Sequence, residues 1–259
     1  MARSIRESRE GGIVTIVLDR PGKLNALDRA MWTGLGESVA ALAEDDSVRC
    51  IVLRGADSEA FCAGHDIEEF ETAFADFDSA LAYVGFMREV FVTLRNCPHP
   101  TLALIEGACV GGGLELALAC DLRIAGASAR FGLPISRIGV ALVYPFMEAL
   151  VEAVGRPTAL EILLEARVFD AAEAAQKGLV TRVVPDDAVE AECARSANRI
   201  AKGAPLANRW NKRFAARVTN AAPITEAEFA ESVRWTQSED FKAGYRAFLA
   251  KQVPEFTGR

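Results

Sequence analysis

The stretch that most constrains the fold is residues 101–121, TLALIEGACVGGGLELALACD. Residues 102–105 read as a buried strand, Gly107 and then Gly111, Gly112 and Gly113 as a tight turn, and an apolar helix is expected from about Leu114. A strand that passes through glycines into a helix leaves the first helical N–H groups without intrahelical acceptors. The helix dipole adds partial positive charge at the same end. Such a place suits an anion, or an oxygen that becomes anionic during a reaction. Glu115 falls in the first turn of this apolar helix. It reads either as an acid/base partner beside those donors or as an ordinary acid in a helix first turn.

Strands alternate with helices over the first two thirds of the chain. Residues 13–18 and 50–53 are β-branched or apolar runs that predict strands, as do residues 122–125 and 179–184. Asp28 is placed to cap a helix running to about Ala43, with Met31, Leu35, Val39 and Leu42 on one face. Residues 67–82, rich in acids and phenylalanines, read as a loose helix or a mobile flap, and residues 83–96 as a better amphipathic helix. Helices are expected at 144–154, 157–165 and 171–178, the second opened by Pro157. After about Asp187 only helical periodicity is found. The expected class is therefore α/β, with a core over residues 1–195 and a helical region over 196–259.

Composition narrows the function. The chain is 51% hydrophobic and 25% charged with a net charge of −7, which suits a core of good size and argues against nucleic acid as a partner. No uncharged apolar run is long enough to span a membrane. Residues 1–12 carry charges with no apolar run behind them, so no signal sequence is expected, and the location is read as cytoplasmic. The six cysteines show no CxxC spacing and are read as reduced and structural. The only histidines, His65 and His99, have no second ligand at metal spacing, so no metal is expected.

A second glycine-bearing turn, Ala63-Gly64-His65-Asp66, also follows an apolar run. Two such turns aimed into one cavity make an oxyanion hole, in which each donor contributes about 3 kcal/mol. Close helix–strand packing requires glycine at the same places. A dinucleotide fingerprint fails in detail, because Cys109 stands at its middle glycine and no acid follows about 20 residues on.

At this point the motifs resemble a known family. Arg20-Pro21-x-x-x-Asn25-Ala26-Leu27, Phe61-Cys62-Ala63-Gly64-x-Asp66 and Gly107-x-x-x-Gly111-Gly112-Gly113-x-Glu115-Leu116-Ala117 resemble the enoyl-CoA hydratase/isomerase (crotonase) superfamily. Phe131-Gly132-x-Pro134 and Phe248-Leu249-Ala250-Lys251 fit as well, in order along nearly the whole chain. The resemblance implies a spiral of ββα units with a helical C-terminal trimerisation region, in a homotrimer or a dimer of trimers. It also implies a coenzyme A thioester as substrate, with no permanently bound cofactor.

By position, the N–H groups of His65 and Gly112 would hold the thioester oxygen, and Glu115 would be the acid/base residue. Lys23, Leu24 and Ala26 fall where the family binds the nucleotide and pantetheine. Phe248 and Lys251 fall where a C-terminal helix meets the adenine. Ala63, Gly64, Asp66, Ile67, Gly111, Pro134 and Ile135 complete the implied substrate contacts.

One departure stands out. Hydratases of the superfamily carry a second glutamate directly after the proline of the fourth motif, where this chain has Ile135. Ser136 and Arg137 are poor replacements as bases, and Tyr144 is a candidate to reach the site. A similar AGHD sequence occurs in decarboxylase-like members. The His65 side chain therefore holds a substrate carboxylate, relays a proton, or leaves the work to its backbone N–H. Hydration or isomerisation is the leading expectation. Decarboxylation of a malonyl-type acyl-CoA, or acyl-CoA binding without catalysis, are the alternatives, and a nucleotide-dependent oxidoreductase is the weakest.

Overall fold

The computed structural model describes residues 4–259, so residues 1–3 of the stretch read as carrying no signal sequence lie outside the described residues. The chain opens with a hairpin, β1 (Ile5–Glu10) and β2 (Ile13–Leu18), turned at Gly11. Helix α1 (Arg29–Ala43) follows, and its N-cap Asp28 accepts from the Met31 N–H at 2.8 Å. Met31, Leu35, Val39 and Leu42 are buried along its inner face, as the periodicity predicts.

Three successive turns of the spiral come next. Each sends one strand to each of two sheets and then a helix across them. The first is β3 (Cys50–Gly55) and β4 (Ala60–Cys62), with α2 (Phe70–Ala73) and α3 (Phe77–Arg95). The second is β5 (Thr101–Ile105) and β6 (Ala108–Val110), with α4 (Gly112–Ala119). The third is β7 (Leu122–Gly126) and β8 (Arg130–Gly132), with α5 (Tyr144–Glu165). β9 (Phe169–Asp170), α6 (Ala171–Gln176) and β10 (Arg182–Val184) complete the sheets.

The larger sheet runs β1-β2-β3-β5-β7-β10 and is parallel except for the first hairpin; the smaller runs β4-β6-β8-β9. Parallel strands are covered on both faces, which is why β5, TLALI, is buried at every residue. Helix α7 (Val189–Ala201) covers the back of the large sheet, with Val189, Cys193 and Ala197 against Cys50, Val52, Leu102 and Leu104. The division expected at residue 195 thus falls inside a helix that packs on the sheet. All six cysteines are buried and unpaired.

The structure corrects several expectations. β1 has a charged sequence, IRESRE, because it is an edge strand exposed on both faces beyond Ile5, and it was not expected. The segment 67–82 divides into a short 3-10 turn (Ile67–Glu69), α2, and the start of α3, which begins six residues earlier than expected where Asp76 caps it through the Ser79 N–H. The two helices expected around Pro157 are present: Gly155, with φ +73° and ψ 158°, is not helical and separates the two halves of α5.

Beyond α7 lie α8 (Pro205–Val218), α9 (Glu226–Ser232) and α10 (Glu239–Ala250). α8 is tied to the core by Arg209–Asp46 at 2.7 Å and Lys212–Asp121 at 2.8 Å. α9, α10 and the 3-10 turn between them leave Phe229, Trp235, Tyr245, Phe248 and Leu249 exposed. No helix of the described residues is long and apolar enough to cross a membrane.

His99 links three of these elements. It is buried at the entry to β5, its Nε2 lies 2.9 Å from the Leu42 carbonyl at the end of α1, and its own carbonyl accepts from Lys212 of α8. Burial pushes its pKa down to about 4, and the nearby Arg209 adds to the shift. An unfolded histidine titrates near ~6.5. Between these two values the unfolded chain holds the extra proton, so stability falls as pH drops through that window. His99→Gln, whose amide can still donate to Leu42, is expected to flatten this loss. Melting temperatures from pH 7 to pH 5 check it, and equal slopes for the two proteins would contradict it.

Candidate active site

Two strand ends of the small sheet meet at the site. β4 runs into Ala63-Gly64-His65 and β6 into Gly111 and the first turn of α4. Because β4 and β6 are parallel neighbours, both turns leave the sheet side by side at the same edge. Their contact leaves no room for side chains. A Cβ on Gly113 would lie 2.1 Å from the Cys62 carbonyl oxygen, and one on Gly64, at φ +109°, would lie 3.2 Å from the Gly112 nitrogen. Beneath them the Cys62 Sγ accepts from the Gly64 N–H at 3.4 Å, and burial pushes this thiol up to about 12. Among the described residues, no protein acceptor takes the N–H of His65 or of Gly112.

The first turn is held from outside by the loop before α1. Leu24 O accepts from Ala63 N, Leu27 N donates to Gly64 O, and Asp66 N donates to Leu27 O, at 2.7–2.9 Å. Arg20 ties the arrangement together, donating to Ala26 O at 2.9 Å and to the Asp66 carboxylate at 2.6 Å. That hydrogen bond holds the Asp66 carboxyl below the usual carboxylate range, helped by the Glu68 N–H. Asp66 therefore braces the turn and does not line the cavity.

The cavity beside these turns has a volume of about 430 Å³. Ala63, Gly64, His65, Ile67, Gly111, Gly112, Glu115, Pro134 and Ile135 line it, so the structure brings together nine of the residues singled out in the sequence. Glu115 points into it from α4, is 5% exposed, and places Oε2 3.4 Å from His65 Nε2. Its remaining walls are hydrocarbon: Phe70 and Phe74 of the α2 segment, Val84 and Met87 of α3, and Ile138, Leu142 and Phe146 around the start of α5. Glu115 is the only carboxylate in this lining, and no lysine or arginine contributes to it.

Other expected residues lie elsewhere. Lys23, Leu24 and Ala26 flank the first turn on its outer side, and Lys23 is paired with Glu68 at 2.5 Å. Phe248 is 82% exposed near the end of α10, with Lys251 at its C-cap, and neither lines the cavity. Tyr144 is 90% exposed and faces away, so it does not supply the missing group. Sequence reasoning missed Trp32, which is fully buried and stacks on the His65 ring at 5.5 Å. Its position beside Met31 made it look like ordinary core. Among the described residues, no three His, Cys, Asp or Glu side chains are grouped to hold a metal ion.

Residues 8–259 match the model of the enoyl-CoA hydratase/isomerase family. A crystal structure described as an enoyl-CoA hydratase/carnithine racemase from Magnetospirillum magneticum is 48% identical, with a TM-score of 0.97 over 99% of this chain and 96% of that one. A probable mitochondrial enoyl-CoA hydratase 2 of Arabidopsis thaliana is 34% identical over 96% of this chain and 83% of its own length. The (E)-benzylidenesuccinyl-CoA hydratase of Thauera aromatica is 33% identical over 95% of this chain and 96% of its own.

The interlock of the two turns is directly testable. Gly113→Ala puts a methyl group against a backbone carbonyl that cannot swing aside, so it is expected to cost about 3 kcal/mol or more. At about 2–4 °C per kcal/mol for a chain of this size, the melting temperature should fall by roughly 6–12 °C. Thermal unfolding measures this, and a Gly113→Ala protein as stable as the parent would contradict the packing.

Proposed function

Because this chain belongs to the enoyl-CoA hydratase/isomerase family and is an enzyme of that type, we propose that it moves a proton beside the carbonyl of an acyl-CoA thioester. In this reading the N–H groups of His65 and Gly112 hold the thioester oxygen and Glu115 is the acid/base residue. One observation carries it: two N–H groups without protein acceptors, from neighbouring strand ends, flank the cavity into which a single buried carboxylate projects.

Removing a proton from the carbon next to the thioester leaves an enolate, whose charge gathers on the oxygen. Donors fixed beforehand at that oxygen stabilise the transition state more than the ground state, because the charge is only then forming. The α4 dipole acts in the same direction. A lone carboxylate can take a proton from one carbon and return it to the carbon two bonds away. A double-bond shift therefore needs no second acid, whereas hydration by two carboxylates meets Ile135 where the second would stand. The site thus favours isomerisation over hydration.

The hydrocarbon walls favour an uncharged acyl group. A malonyl-type acyl group would bring its carboxylate among walls without a lysine or arginine, and an unpaired buried charge is costly. Lys23, Leu24 and Ala26, beside the first turn, are assigned to the coenzyme A arm. Phe248 and Lys251 are assigned to its adenine end, reached from another copy of the chain in a homotrimer or dimer of trimers. The exposed apolar residues of α9 and α10 support such an assembly. Light scattering is expected to read a mass of three or six chains, and a monomer would remove that assignment.

The chemical test is Glu115→Gln. It keeps the shape of the carboxylate but cannot accept the proton. For conversion of a 3-enoyl-CoA to its 2-enoyl isomer, kcat/KM is expected to fall by about 10²–10⁴. Full activity in Glu115→Gln would remove Glu115 from the chemistry.

A further inference from the structure

We propose that His65 and Glu115 exchange a single proton and work as one acid–base pair, the imidazole taking over from the second carboxylate whose place Ile135 fills. This goes beyond the backbone role of His65 and rests on the reading of Glu115 as acid/base residue.

The pair is built into the fold. His65 Nε2 stands 3.4 Å from Glu115 Oε2, and both side chains line the cavity. Glu115 Oε2 is buried and makes no hydrogen bond within the protein, and the same holds for His65 Nδ1. Buried polar atoms are seldom left in this state. Here one of them, Glu115 Oε2, faces His65 Nε2 at the reacting end of the cavity, and the other is the far nitrogen of the same ring. The 3.4 Å separation is wider than a good hydrogen bond, as is common before a substrate closes the site.

The ring is also held in place. Trp32 stacks on one face, with the ring centroids 5.5 Å apart and the planes 23° apart. Gly112 lies under it so closely that a Cβ there would come within 2.9–3.1 Å of Nε2, Cε1 and Cδ2. The imidazole is therefore clamped between the α1 core and the turn that supplies the second N–H donor. Trp32 is a positioning residue in this arrangement, since it touches the ring and does not line the cavity.

The surroundings leave the pair isolated. On α4 the facing titratable group is Glu115 itself. On β4 it is the Cys62 thiol, which burial keeps neutral. Asp66 is turned to Arg20, and Arg20 also pairs with Asp28 at the start of α1. The residues of α3 and α5 that line the cavity, among them Val84, Met87 and Phe146, carry no charge.

The proton account closes. The Glu115 carboxylate removes a proton from the carbon beside the thioester; that C–H bond breaks and its electron pair enters the enolate. The carboxylic acid so formed gives the proton to the lone pair of His65 Nε2, leaving carboxylate and imidazolium side by side. Contact with the carboxylate offsets part of the cost of placing the imidazolium charge beside hydrocarbon walls. The proton then returns through Glu115 to the carbon two bonds away, a new C–H bond forms, and imidazole and carboxylate are both restored.

The test uses His65→Ala and His65→Phe, because the backbone N–H donor survives both. With the pair broken, kcat for a 3-enoyl-CoA is expected to fall by about 10²-fold while KM changes little. Added imidazole should restore part of the activity of His65→Ala. His65→Phe keeps an aromatic ring against Trp32 but accepts no proton, and it should stay slow. Wild-type kcat in either variant would overturn the pair, as would failure of imidazole to raise the rate of a folded His65→Ala protein. Glu115→Gln run alongside separates the claims: slow Glu115→Gln with fast His65→Phe ends the pairing alone, and fast Glu115→Gln ends the reading beneath it.

Discussion

The structure depends on a contact with no side chain between its partners: the backbone of Gly113 against the carbonyl of Cys62. It exists because the spiral delivers successive short strands, β4 and β6, to neighbouring places in the small sheet. Their ends must then leave the sheet at one edge and close together. Glycine at 64 and 113 lets them touch. Two backbone donors without acceptors, from segments 47 residues apart in the chain (His65 to Gly112), then stand beside one cavity. Short of proline, no substitution removes such donors, so their placement depends on the packing beneath them.

The rest of the molecule holds that edge still. The larger sheet, whose central strands β3 and β5 are buried on both faces, sets the direction of every strand that feeds the small one. Arg20 and Asp66 fasten the first turn to the loop before α1, and the apolar length of α4 anchors the second in the core. The site is therefore carried on sheet edges and a helix start, which keep position better than loops do. In the proposed reading the wall that meets the acyl chain is different: Phe70 and Phe74 of the α2 segment and Val84 and Met87 of α3 line the cavity, and the first turns of α3 leave Phe77 and Leu81 exposed. That reading puts chemistry and acyl selection on separate parts of the fold.

Much of this was legible in the sequence, for physical reasons that also mark where legibility ends. Glu115, His65, Gly112 and Ile135 could be singled out because glycines, an isolated acid and a break in a motif are local signals. The strands of the large sheet announced themselves as apolar runs. β4, β6 and β8 are three residues each, too short to show any period, and β1 is polar because it lies at an edge. The start of α3 was hidden among acids until its cap, Asp76, could be seen in place. Trp32, Met87 and Phe146 become part of the site only through packing, since each sits in a helix whose pattern says no more than core. Tyr144 shows the opposite error: close in sequence to the cavity wall, it points to solvent from the first position of α5.

The central claim is that this edge stabilises an enolate and that Glu115 makes it. The most direct measurement omits turnover. A saturated acyl-CoA such as butyryl-CoA, held with the enzyme in D2O, has a proton beside the thioester but no double bond to shift. The account predicts that deuterium enters at that carbon, seen by mass spectrometry, and at no other position of the acyl chain. A bound ligand that stays unlabelled at that carbon would contradict it.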